Sequence, residues 1–561
     1  MRHTTSACES CRREIVNTIK RLLLLAVLAA SCNGPIAIAD AVGQDRPIPS
    51  FAELEAAGAV IGEVRLDTED IFDEDDPREN YGLYRLLNKL HIKTRPSVIQ
   101  RQLLFRSGER VSVRVIEESE RLLRSNRYLY DVSIRPVAFR DGVVDIEVRT
   151  RDTWSLEPGG SFSRGGGSNT TGLSLTERNL LGTGTSVSWS RGSSVDRSGR
   201  EFAISNNQVF GNWTAFDYKT AILSDGSADS ISLVRPFYAL DSRWALGGSA
   251  ARFDRIDSIY TNSAIVGQYR HQGSAGEVFG GLSKGLVNGW VQRYSVGVGY
   301  QDDIYLVDPT RTPPPEIPPD QTLVYPFVRY EVIEDDYVKV ANRDKIGRAE
   351  YFVRGFNGSM QLGYSSTGLG ATRDLWLYSG ALSKGFRTRG GDLQAGTWLS
   401  GQYGDGHSDR QFFGANARYF LQQGPRTVFY ASAEATGVNS SIPTDQLLLG
   451  GDNGLRGYPL RYQSGDRRAL FTIEERVYTD WYPFRLVRVG GAVFYDIGRA
   501  WGGEFENQAN PGWLRDFGFG LRLTSDRSSI GNVLHLDVAF PIDATEDIKK
   551  VQVLVKTYAT F

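Results

Sequence analysis

The stretch FGFGLRLTSD, Phe517 to Asp526, places Phe517, Phe519, Leu521 and Leu523 on one face of an extended chain and Gly518, Gly520, Arg522 and Thr524 on the other. The same period of two runs through VLHLDVAFPI, where Leu534, Leu536, Val538 and Phe540 oppose His535 and Asp537. In the last segment Val551, Val553, Val555 and Phe561 share a parity, opposite Gln552, Lys556, Tyr558 and Thr560. Working back from this end, segments of about ten residues separated by Gly, Asn and Asp turns reach as far as Asp152, the length a membrane-crossing strand needs. A soluble sandwich also alternates, so periodicity alone does not choose between sandwich and membrane barrel.

Composition and the N-terminus decide further. The 61 glycines, 11% aromatic residues and two methionines among 561 residues suit strands and turns better than a helical bundle. A formal charge of −2 leaves no basic footprint for nucleic acid. Arg12, Arg13, Lys20 and Arg21 precede the apolar run Leu22 to Ala30, which reads as an export signal and is too short to span a bilayer. Ala37-Ile38-Ala39 predicts cleavage before Asp40, with a faint lipoprotein box ahead of Cys32 as the alternative. Cys8, Cys11 and Cys32 all lie at or before these sites, so cleavage before Asp40 removes every cysteine and with them any disulfide framework or thiol catalyst. Export, a cysteine-free mature chain and a terminal aromatic on an amphipathic strand together favour an all-β transmembrane barrel.

The organisation expected is a signal peptide at 1–39, a linker at 40–59, a small α+β domain at 60–151 and a barrel at 152–561 with a long loop at 437–468. In the small domain the strand VIGEVRLDT is followed by helices around PSVIQRQLLF and VSVRVIEESERLLRSN, then by YLYDVSIRPVAF and GVVDIEVRT joined at Asp141-Gly142. Val115, Leu122 and Leu123 give the second helix its apolar face. The hairpin from Tyr128 to Thr150 is expected at an open sheet edge. DTEDIFDEDDPREN, from Asp67, lacks the oxygen spacing and glycine of a calcium loop and reads as a solvated excursion. Pattern reading gives between about 16 and 21 candidate strands after Asp152. DPTRTPPPEIPPDQ, from Asp308, must be a loop because proline cannot donate to a ladder.

Four motifs carry a resemblance. ERNLLGTG (Glu177 to Gly184), GGDNGLRGYP (Gly450 to Pro459), FTIEERVY (Phe471 to Tyr478) and VFYDIGRAW (Val493 to Trp501) occur in the order and spacing found in the bacterial surface antigen superfamily of outer-membrane assembly and secretion barrels. The β-α-α-β-β unit resembles its POTRA domain, and the resemblance covers about residues 60 to 561. It implies a barrel of 16 antiparallel strands with a POTRA-like periplasmic domain. One such unit is present where family members carry up to five, and the last strand lacks the glycine usual in the C-terminal signal. The family also implies that the tip of the long loop lies inside the barrel, that Asn179, Gly182 and Gly184 form an early-barrel turn, and that Phe561 and Tyr558 serve as a C-terminal assembly signal.

Parity supplies partners for that tip. Along ALFTIEERVY it turns Phe471, Ile473 and Val477 outward and Glu474 inward, with Glu475 an outward charge near the strand end; along GGAVFYDIGRAW it sets Asp496 with Ala492 and Gly498, also inward. Arg456 is therefore expected to bridge Asp496 and Glu474, Gly457 to let the backbone approach, and Tyr458 to pack on the wall. The alternative is a solvated external turn. The function implied is assembly or insertion of outer-membrane proteins, or outward passage of a polypeptide, by strand addition at the POTRA edge and barrel seam. A passive pore or lipid-handling barrel without protein clients is the alternative.

Expected partners are outer-membrane lipids, unfolded outer-membrane or secreted polypeptides and periplasmic chaperones. No cofactor or metal is implied, and no oligomeric state is set. His91, His271, His407 and His535 sit in no catalytic motif, so an enzyme is not expected. GGGSNTTG reads as a hairpin rather than a phosphate loop, since no strand-to-helix context follows it.

Overall fold

The computed structural model describes residues 48–558 apart from 166–167, 195, 344–345, 347–348, 526–532 and 547. The expected export signal at 1–39, both expected cleavage sites and Phe561 lie outside these residues.

The small unit begins inside the expected linker. Helix α1 (Phe51–Ala56) carries a capping box between Ser50 and Glu53 and buries Leu54. Next come β1 (Val60–Glu69), α2 (Gly82–Leu90), α3 (Pro96–Gln100), α4 (Val113–Ser125), β2 (Leu129–Arg140) and β3 (Val143–Asp152). Ile61, Val144, Ile146 and Val148 of the sheet pack on Leu54, Ile99, Ile116 and Leu123. The buried face of α4 is Ile116, Ser119 and Leu123, at helical spacing, whereas Val115 and Leu122 flank it.

The sheet order is β1-β3-β2, with β3 parallel to β1 and antiparallel to β2. This corrects the expected edge hairpin: β3 is central, and of the hairpin only β2 has a free side. The β2 edge carries Pro136 and register shifts at Leu129/Asp131 and Pro136/Ala138, features that blunt an edge strand.

The acidic segment also differs from expectation. Ile71 and Phe72 are buried with Tyr84 of α2, and Leu87, Trp154 and Leu486 pack on them. The Tyr84 hydroxyl donates to the Phe484 carbonyl, and Arg485 Nη1 donates to Glu79 at 3.2 Å. The excursion is thus a docking element for the turn at 479–487.

The large sheet opens with β4 (Leu156–Gly165), β5 (Ser168–Glu177), β6 (Thr185–Ser193), β7 (Ser198–Asn206), β8 (Ala215–Leu223) and β9 (Gly226–Arg235). Three long strands come next, β10 (Trp244–Thr261), β11 (Ala264–Val287) and β12 (Trp290–Leu306), and then β13 (Gln321–Glu334). A separate hairpin, β14 (Tyr337–Ala341) with β15 (Ala349–Val353), precedes β16 (Asn357–Ser365), β17 (Leu375–Arg387), β18 (Asp392–Gly404), β19 (His407–Gln422) and β20 (Thr427–Asn439). The long loop contains the paired short strands β21 (Leu447–Leu449) and β22 (Gln463–Gly465). The wall ends with β23 (Arg467–Tyr478), β24 (Arg488–Trp501), β25 (Leu514–Thr524), β26 (Val533–Pro541) and β27 (Gln552–Tyr558).

Successive wall strands pair antiparallel, and the order returns to its start with β27 beside β4, as in a β-barrel. Among the described residues the ring has twenty strands, not 16. Five of them come after the long loop and fifteen before it. A wider ring has a wider interior, and two inserted segments, the β14–β15 hairpin and the long loop, pack within it. GGGSNTTG falls at the β4–β5 hairpin, where Gly165 pairs with Ser168. Outward positions such as Tyr294, Val296, Val298, Tyr300, Phe517, Phe519 and Leu521 are exposed and apolar or aromatic. No described helix is long and apolar enough to cross a membrane.

Candidate functional site

The long loop crosses the lumen. On one side Gln446 accepts from the Tyr260 amide at 2.6 Å, and Thr444 lies 2.6 Å from the Tyr269 hydroxyl. On the other side Leu449, Leu455, Tyr458 and Tyr462 form a buried cluster with Ala500 and Leu514 of β24 and β25. Gly498 makes room for this, since a Cβ there would lie 3.1 Å from the Leu449 side chain.

At the tip Arg456 is buried and grips Asp496 with both prongs, Nε to Oδ2 at 2.7 Å and Nη2 to Oδ1 at 2.9 Å. Its Nη1 donates to Glu474 Oε1 at 2.8 Å and to Asp537 Oδ2 at 3.2 Å. The guanidinium carbon lies 3.4 Å from the centre of the Phe494 ring. Burial opposes the charge on Arg456, and the carboxylates of Asp496, Glu474 and Asp537 outweigh it, holding its pKa well above the ordinary arginine value. The external-turn alternative does not describe this loop.

The register explains how the wall offers three carboxylates to one tip. Glu474 pairs with Phe494 and Phe494 with Gly518, while Gly520 pairs with Asp537. The glycines of FGFG are spaces: a Cβ on Gly518 would lie 2.4 Å from the Phe494 ring, and one on Gly520 1.9 Å from Asp537 Oδ1. Asp496 also stands opposite Asp516, a like-charged cross-strand pair that needs offsetting. The tip answers both, because Arg456 takes Asp496 and the Gly457 amide donates to Asp516 Oδ2 at 3.0 Å.

This is why glycine succeeds the arginine: a Cβ on residue 457 would sit 2.7 Å from Asp516 Cβ and 3.0 Å from the Pro541 nitrogen. Tyr458 closes the contact, its hydroxyl donating to the Arg515 carbonyl at 3.0 Å and accepting from the Asp543 amide at 3.1 Å. Gly457→Val is expected to push the tip off the wall and leave the carboxylates without their cation. Loss of protease protection of the loop in otherwise folded barrels is the measurement; unchanged protection would show that the wall yields instead.

Parity leads from Arg456 to Asp496 and Glu474, and the structure brings these together with Gly457, Tyr458 and Gly498. Asp537, Asp516, Arg522 and Arg476 were not identified from sequence. Arg522 pairs with Asp537, and Arg476 Nε donates to Glu474 Oε2 at 2.8 Å. Both are inward by parity, which was the available signal.

Asn179, Gly182 and Gly184 form a different site, the joint between barrel and small unit. Asn179 Nδ2 donates to Thr94 Oγ1 at 2.8 Å, and its Oδ1 accepts from the Gly184 amide at 2.7 Å. Thr94 and His91 both rest on Asp152, with the Thr94 amide donating at 2.7 Å and His91 Nε2 at 2.9 Å from the carboxylate. Gly182, at φ +70°, brings its backbone so close to Lys93 that a Cβ would meet the Lys93 carbonyl oxygen at 2.3 Å. Tyr558 pairs with Val533 in the β26–β27 ladder.

No family model matches the chain, and no curated protein matches it in sequence. Among solved structures, BamA from Haemophilus ducreyi lacking POTRA domains 1-3 is similar over 89% of this chain and 85% of its own, at 12% identity and a TM-score of 0.42. CdiB from Escherichia coli is similar over 99% of each chain, at 13% identity and a TM-score of 0.46. CdiB from Acinetobacter baumannii is similar over 99% of this chain and 100% of its own, at 12% identity and a TM-score of 0.38. All three scores are below 0.5.

Proposed function

We propose that this chain is an outer-membrane barrel that inserts other outer-membrane proteins or passes a polypeptide outward, with its small unit a POTRA-like domain in the periplasm. The observation that carries the reading is the route from β2 to the seam. β2 has a free side, β3 pairs with it, and only three residues separate the end of β3 at Asp152 from β4, which lies beside β27. An extended client adds to β2 over residues 131–135, the stretch between its two register shifts and ahead of Pro136, through main-chain hydrogen bonds and is handed to the seam strands along the same chain. No catalytic step is needed.

The passive-pore alternative is disfavoured by what fills the lumen. The Arg456 loop and the β14–β15 hairpin both occupy it, where a passive channel needs a clear path.

A photocrosslinker placed at Arg135, an exposed position on β2, tests the reading in cells and in vesicles supplied with an unfolded barrel protein. Crosslinks to clients are expected at Arg135 and not at Ile146 of the central strand β3. Proline at Ile146 is expected to break the small sheet rather than only its edge. Absence of client crosslinks in vesicles that show steady ion conductance would favour the pore.

A further inference from the structure

Strands β5 to β8 carry an outward feature that polypeptide handling leaves unexplained. Arg191 of β6 and Arg200 of β7 are directly opposite in the ladder and both exposed. They share an outward face with Trp189, Phe202, Leu173 and Ile222, all exposed. Like charges directly opposite destabilise a strand pair. Among the described residues neither arginine has an acidic partner: on the same face Glu177, at the far end of β5, accepts from the Asn179 amide at 2.8 Å, and Asp229 is held by Thr220 at 2.7 Å and Arg252 at 2.9 Å. An open groove of about 950 Å³ runs over this face.

The height of the pair is fixed by the hairpins. The β5–β6 turn meets the small unit, the Arg95 amide donating to the Gly182 carbonyl at 3.0 Å, so the β6–β7 hairpin is at the opposite end. Arg191 and Arg200 lie within two residues of the strand ends that form it, Ser193 and Ser198. On β12 the outward residues Tyr294, Val296, Val298 and Tyr300 succeed one another without a charge. On β6 the apolar outward positions stop at Trp189. An arginine pair facing acyl chains there would be costly, whereas one facing a phosphate would be satisfied, since planar guanidinium forks fit phosphate oxygens.

We infer that Arg191 and Arg200 form a binding site for the phosphate of a phosphorylated glycolipid in the outer leaflet, whose acyl chains lie over Leu173, Trp189, Phe202 and Ile222. The site rests on the reading of the chain as a membrane barrel. It accounts for the unpaired cations, the apolar side chains beneath them and the groove between.

The full-length protein is reconstituted into phosphatidylcholine vesicles with or without diphosphoryl lipid A, then extracted and weighed by native mass spectrometry. Retention of lipid A is expected for the native sequence and a loss of roughly tenfold or more for Arg191→Gln/Arg200→Gln, since hydrogen bonds to charged groups contribute about a decade or more in equilibrium constant. The dephosphorylated glycolipid should be retained no better by the native chain than by the variant. Equal retention of lipid A by both proteins, or equal retention of the two glycolipids, overturns the site. Displacement of lipid A by inorganic phosphate alone overturns the assignment to a lipid. Failure of the native chain to insert into vesicles at all, read by tryptophan quenching with brominated lipid, removes the membrane reading itself and is thereby told apart from failure of the site.

Discussion

Arg456→Ala is expected to lower barrel stability by about 3–5 kcal/mol, somewhat less in a wet lumen, the cost of removing one partner from a buried charged group. The charge count at the tip shows why. Arg456, Arg476 and Arg522 face Glu474, Asp496 and Asp537. Deleting Arg456 leaves two cations for these three carboxylates, with Asp516 a fourth buried acid beside Asp496, and Asp496, which Arg456 alone grips with two prongs, loses most. Arg456→Lys should recover only part of the loss, because an ammonium cannot fork onto Asp496 while reaching Glu474.

Asp496→Ala should be similarly damaging, and the double variant less than additive, with a coupling of about 0.5–3 kcal/mol. Thermal unfolding followed by heat-modifiable gel mobility measures stability, and client insertion in vesicles measures the proposed activity. Additive losses in the double variant would mean that Arg456 and Asp496 act separately despite their contact.

Much of this site was legible because alternation states which way a side chain points. Glu474 and Asp496 face inward on parity alone, as do Asp537 and Arg522. Height is what alternation omits. That Asp537 reaches the same guanidinium as Glu474 depends on the register across β23 to β26, which is fixed by turns and by the glycine spaces at Gly518 and Gly520. Strand number was illegible for a related reason: β11 carries Gly267, Gly273, Gly276, Gly280 and Gly281 within one continuous strand, so glycine punctuation does not mark strand ends.

The central position of β3 was hidden because the Asp141-Gly142 turn determines only its pairing with β2. The parallel pairing with β1 is long-range. The acidic excursion looked solvated because the partner of Glu79, Arg485, lies 406 residues away. Its apolar Ile71 and Phe72 were the signal that it docks.

The largest change in conductance is expected when the lumen is cleared at both points at once. The β14–β15 hairpin packs Ile346 and Phe352 against Phe420, Val428, Tyr478 and Val533, side chains on the inner wall of β19, β20, β23 and β26. Its Lys339 also reaches Glu120 of the small unit at 3.2 Å, which places it at the end of the lumen nearest that unit. Arg456 holds the other obstruction. Two obstructions in series add their resistances, so opening either alone leaves the other limiting.

Replacing Tyr337–Val353 by a short Gly-Ser turn should keep the stem, because Arg354 Nη2 already pairs with Asp336 at 2.7 Å and β13 pairs with β16 just beyond it. That deletion, and Arg456→Ala, should each raise single-channel conductance at most about twofold if the two resistances are comparable, whereas both together should raise it several-fold more. The two are also linked mechanically: the Arg343 carbonyl accepts from Arg476 Nη1 at 3.2 Å, Arg476 holds Glu474 at 2.8 Å, and Glu474 is bound by Arg456 at 2.8 Å. Loss of the hairpin is therefore expected to loosen the loop as well, seen as added current noise on the deletion variant. A quiet, fully open channel from the hairpin deletion alone would show that the Arg456 loop does not obstruct the lumen, and that its buried charges shape the wall rather than close it.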